Sequence, residues 1–64
     1  MYTVGDIVRY QNEYTCKTGI VIELQTSTHH LPRIKVLFQE AGNVTHWLVV
    51  GDKRSTQYVT NLSR

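Results

Sequence analysis

The chain holds one cysteine, Cys16, and one proline, Pro32, in 64 residues. A lone cysteine excludes an intrachain disulfide and a multi-cysteine zinc site, the two staples that small domains use most often. It also fits a reducing compartment. No apolar run approaches the roughly 18 residues that a membrane-crossing helix needs. The opening Met1-Tyr2-Thr3-Val4-Gly5-Asp6 has no basic stretch leading into a long apolar one. The expectation is a soluble protein made inside the cell. Charge of one sign is scarce too: seven Lys and Arg stand against five Asp and Glu, a net +2. The basic residues never run longer than the pair Lys53-Arg54, so no polycationic arm is present and any phosphate-binding face must be assembled by folding. Helical periodicity is missing as well, since no window places apolar residues at i, i+3, i+4 and i+7 over three turns.

Short β-branched runs closed by glycine or polar residues make up most of what remains. They read Gly5-Asp6-Ile7-Val8-Arg9-Tyr10, Gly19-Ile20-Val21-Ile22-Glu23-Leu24, Arg33-Ile34-Lys35-Val36-Leu37-Phe38 and Val44-Thr45-His46-Trp47-Leu48-Val49-Val50. Strand side chains alternate with period two. Val8 and Tyr10 therefore share a face expected in the core. Ile20, Ile22 and Leu24 share another, with Val21 and Glu23 opposite, and Val21 and Leu37 are expected outward. In the third run Ile34, Val36 and Phe38 point in and Lys35 and Leu37 out. The fourth run has two apolar faces, Val44/His46/Leu48/Val50 and Thr45/Trp47/Val49, and periodicity does not choose between them. Gly19 allows a bulge or a close backbone approach, and Glu40-Ala41-Gly42-Asn43 reads as a hairpin turn. Residues 11–18 read as a polar loop and 25–32 as a second, longer one ending at Pro32. Ser55-Thr56-Gln57-Tyr58 is expected to make one short helical turn before a last strand, Val59 to Leu62.

A chain this short buries only about 60% of its unfolded surface, so one domain over residues 1–64 is expected. Its fold class is all-β: five strands with tight turns, a short sheet curling on itself to cover its apolar face and remove most edges.

With these runs in place the chain resembles the Src-homology-3-like (SH3-like) small barrels, the group of Tudor, chromo-barrel and ribosomal KOW-type modules. The matching elements are Gly5-Asp6-Ile7-Val8, Gly19-Ile20-Val21, Lys35-Val36-Leu37-Phe38 with Gly42 after it, Trp47-Leu48, and Leu62. It is also similar in length and texture to the short single-barrel proteins of tailed bacteriophages. The resemblance implies a five-stranded SH3-like small barrel with a non-catalytic role, placed in the host cytoplasm or the virion. Tudor modules carry a cage aromatic in the turn after strand three. Here that turn is Glu40-Ala41-Gly42, so the resemblance does not extend to methyl-ligand binding. The 11–18 connection has one acid, Glu13, and one aromatic, Tyr14, too few for polyproline recognition.

No phosphate-cradling glycine loop, paired carboxylates or nucleophile motif points to an enzyme. Cys16, His29, His30 and His46 are chemically suitable zinc ligands. Adjacent His29 and His30 would have to splay to meet one ion, however, so neither metal nor cofactor is expected. The main expectation is an interaction module, structural or adaptor, that docks on a larger protein or self-associates. Its contact residues would be His29, His30, Arg33, Lys35 and Trp47, around loop 25–32 and the neighbouring strand edge. The alternative is a small nucleic-acid-binding barrel that stacks bases on aromatics and meets phosphate with cations, adding Tyr14, Lys53 and Arg54 to that set.

Overall fold

The computed structural model describes residues 2–26, 31–39, 42–51 and 57–63. Five strands follow in chain order: β1 (Ile7–Gln11), β2 (Cys16–Gln25), β3 (Arg33–Phe38), β4 (Val44–Val49) and β5 (Val59–Asn61). All neighbours are antiparallel, in the order β4-β3-β2-β1-β5. The all-β expectation holds. No ladder joins β4 to β5, so the sheet is open and the expected barrel is not closed by hydrogen bonds. The reach of β5 explains this: its three residues pair only with Val8, Arg9 and Tyr10 of β1.

One sheet with no second layer still produces a dry core. Val8 and Val36 are 0% exposed, and Val21, Ile34, Phe38 and Val59 are buried with them, while Tyr2, Tyr10, Leu48 and Val50 pack around this cluster. Burial this complete on one face requires the sheet to curl over it, and the radius of gyration of 11.1 Å is close to the about 10.7 Å of a compact chain of this length.

Gly19 enables that curl. It faces Val8 across the β1–β2 ladder, and a Cβ there would lie 2.5 Å from Val36 Cγ1 and 2.7 Å from the Leu37 carbonyl oxygen. The close approach expected at this glycine is present, but the bulge lies further along. Val21 pairs with Val36 and Glu23 with Lys35, leaving Ile22 as the extra residue. A bulge reverses the alternation beyond it. The expected phase of the second run is corrected ahead of the bulge, where Val21 is buried rather than outward and Ile20 sits opposite outward Leu37, whereas Leu24, beyond it, lies on the side of Ile34 as expected.

The third strand alternates as expected, with Ile34, Val36 and Phe38 buried. Register settles the fourth: Val44, His46 and Leu48 lie opposite Phe38, Val36 and Ile34, so their face looks toward the core, and Thr45, Trp47 and Val49 take the outer one.

The loop expected over residues 11–18 shrinks to a tight turn. Cys16, Lys17 and Thr18 pair with Gln11, Tyr10 and Arg9. Polar composition masked this, because a strand needs only its backbone for the ladder. The Asn12 carboxamide oxygen accepts from the Tyr14 and Thr15 amides at 2.8 and 2.9 Å, closing the turn, as asparagine does where the chain reverses. Gln57 and Tyr58 form a turn before β5, while Ser55 and Thr56, the first half of the expected helical turn, lie outside the described residues. Strands β3 and β4 pair as the expected hairpin requires, and Gly42 and Asn43 both adopt positive φ, while Glu40 and Ala41, the first half of the expected turn, lie outside the described residues.

Asp6 ties the two ends of the chain together. Its buried carboxylate accepts from the Thr3 amide and hydroxyl, each at 3.0 Å, and from the Asn61 side-chain amide at 2.9 Å. Burial, then the negative charge of Asp6, raises the pKa of the Tyr2 phenol above its ordinary value.

Candidate interaction surface

Three of the expected contact residues come together on the outer face of the sheet. Arg33 and Lys35 are two apart on β3 and so point the same way; across the ladder Arg33 meets Val49 and Lys35 meets Trp47. The Arg33 guanidinium carbon lies 5.6 Å from the centre of the Trp47 ring and the Lys35 ammonium 5.8 Å from it. Each contact is worth about 0.5–1 kcal/mol at an exposed site. Both cations are steered from the other flank as well. Arg33 donates to the Gln25 side chain, and Lys35 stands 3.9 Å from the Glu23 carboxylate. That ion pair is solvated and contributes at most about 1 kcal/mol.

Trp47 stays 40% exposed despite these contacts. It occupies a terminal strand of the sheet whose outer edge has no pairing among the described residues. The strand itself, Val-Thr-His-Trp-Leu-Val, has no Lys, Arg, Asp, Glu, Pro or Gly. These are residues with which natural edges discourage pairing.

Tyr14 does not join this group. It projects from the β1–β2 turn, 91% exposed, and lines a hollow with Tyr10, Glu13 and Tyr58. His29, His30, Lys53 and Arg54 lie outside the described residues. Among the described residues no group of three or more His, Cys, Asp or Glu could hold a metal ion; Cys16 is exposed on β2, opposite Gln11.

A second cluster was not anticipated. Lys17, placed on the inner face by its pairing with Tyr10, holds its ammonium 5.6 Å from the Phe38 ring centre. The His46 ring stands 6.0 Å from that of Phe38, and Tyr10 lies 6.3 Å from Tyr58. These side chains come from four strands and a turn. No spacing in the sequence announces the cluster; the alternation that placed Tyr10 and Phe38 inward hinted at two of its members.

Compared with models of known families, with characterised proteins and with solved structures, the chain gives no match.

Proposed function

We propose that this chain is a non-catalytic interaction module on an SH3-like framework, docking on another protein chain through the edge of β4 and the outer face beside it. The framework reading is supported by the return of β5 to pair with β1, which places the first strand between β2 and β5 in a curled five-stranded sheet. The observation that carries the docking reading is the uncharged six-residue edge strand with half-exposed Trp47 beside Arg33 and Lys35. An added strand would satisfy the free edge amides and carbonyls by main-chain bonds, while Trp47 and Val49 offer apolar contacts on alternate residues. Acidic side chains on that strand would meet the two cations.

Replacing Thr45 with Pro would remove a backbone donor from the edge strand, and Trp47→Ala would remove the anchor. Light-scattering mass after size exclusion, with the chain alone and with extracts of its own source, reads both self-association and capture of a partner. Salt-resistant mass gain lost in Trp47→Ala is the expected result. A monomer at high concentration that captures nothing would reject the reading.

Trp47 between two cations also favours a second reading, nucleic-acid binding, with the ring against a base and Arg33 and Lys35 on phosphate. It predicts mass gain with single- or double-stranded nucleic acid only at low salt, abolished in Arg33→Ala/Lys35→Ala.

A further inference from the structure

The inner-face hollow at the end of the curled sheet has a chemistry distinct from the β4 surface. It measures about 320 Å³ and opens between the β1–β2 turn and β4, at the lower end of the size range of small-ligand sites. Buried Phe38 forms its floor, Tyr10, His46 and Leu48 its walls, and Trp47 also borders it. Asn12 and Thr15 line the side of the turn, and the Asn12 amide donates to the Tyr10 hydroxyl at 3.3 Å, leaving the Tyr10 proton free to donate elsewhere.

Among the described residues that line it, Lys17 alone carries a fixed charge. Among the described residues no carboxylate comes within ion-pair distance of it, whereas Lys35 has Glu23. An ammonium held against an aromatic floor with no counter-ion among the described residues is a preset partner for an anion. The ring-lined walls favour an aromatic group attached to that anion. One fixed positive charge is balanced by one negative charge, so a carboxylate matches better than a doubly charged phosphate.

We propose that this hollow receives the C-terminal residue of a partner protein chain, an aromatic residue whose ring packs against Tyr10 and His46 and whose carboxylate meets Lys17. The proposal deepens the protein-docking reading and rests on it for the nature of the partner, but its charge and one of its ring walls, Lys17 and Tyr10, lie off β4. The two can therefore fail separately.

The test is titration of the isotope-labelled chain with N-acetyl-L-phenylalanine, followed by amide resonances, beside the same ligand as its amide. Binding on the order of 1 mM is expected for a ligand of this size, with shifts at Tyr10, Thr15, Lys17 and His46. The amide, which has the ring without the charge, should bind about tenfold more weakly. Lys17→Gln should erase that difference, and Lys17→Arg should keep it. Thr45→Pro, outside the lining of the hollow, reports on the β4 edge. Equal affinity for acid and amide would overturn the proposal even if Lys17→Gln failed to fold. So would shifts confined to residues away from the hollow, or preference for uridine monophosphate over the aromatic acid.

Discussion

Gly19→Ala adds a single methyl group at an ordinary strand conformation, and ordinary accounting would make it stabilising. Alanine restricts the unfolded chain and is favoured over glycine inside a strand by about 0.5–1 kcal/mol. The structure reverses the sign. The new Cβ would sit 2.5 Å from Val36 Cγ1, 2.7 Å from the Leu37 carbonyl oxygen and 3.0 Å from Phe38 Cδ1. Two of these are buried core side chains, and the third is backbone in the β2–β3 ladder. None is the free end of a flexible chain, so relief requires separation of β2 from β3. Overpacking costs about 1–3 kcal/mol, and two contacts below 3.0 Å, one of them to backbone, put this case in the upper part of that range, about 2–3 kcal/mol, which leaves a net loss of about 1–2 kcal/mol after the conformational gain. A domain of this size has about 3–10 kcal/mol in total, and the melting temperature should fall by about 5–15 °C. Circular dichroism melts and urea titrations of the two proteins measure it. The clash mechanism has a second signature: Val36→Ala should cost less in the Gly19→Ala background than in the parent, because it removes the nearest obstacle. An alanine variant as stable as the parent would refute the close approach of β2 and β3 and, with it, the described curl of the sheet.

The pairing of β2 with β3 predicts opposite fates for adjacent residues. Val21→Asp places an unpaired charge among Val8, Val36 and Phe38 and should cost about 4 kcal/mol or more, enough to unfold the domain. Ile22→Asp, at a position already 40% exposed, should cost at most about 1 kcal/mol; the reverse ranking by urea titration would restore the phase read from the sequence, with Ile22 inward and Val21 outward. Asp6→Ala deletes the acceptor shared by Thr3 and Asn61 and should lower the unfolding free energy by about 2–4 kcal/mol, with Asp6→Asn falling between. An unchanged urea midpoint would show that the carboxylate does not link the N-terminal turn to β5.

The five strands and the core face of β3 were legible in the order of residues. A half-buried strand must alternate, and Ile34, Val36 and Phe38 do so without interruption. The role of Gly19 was legible in outline, since a glycine within a β-branched run marks either a bulge or a contact of backbones. Arg33 and Lys35 shared a face by parity alone. Their convergence on Trp47 needed the β3–β4 register, which follows from how the hairpin closes rather than from spacing along the chain.

Tertiary structure decided the rest for three physical reasons. The bulge at Ile22 changes parity, and one inserted residue moves every later side chain to the other face, so no single period-two phase fits β2, and the phase that put Leu24 inward misplaced Ile20 and Val21. Cys16, Lys17 and Thr18 are polar yet stand in a strand, because pairing with β1 uses only their main chain. Strand β4 carries apolar residues on both faces, and only its pairing with buried Val36 and Ile34 assigned His46 and Leu48 inward and left Trp47 at the surface. Composition and periodicity determined an all-β chain of five strands. Register, bulge and curl determined which of its side chains meet.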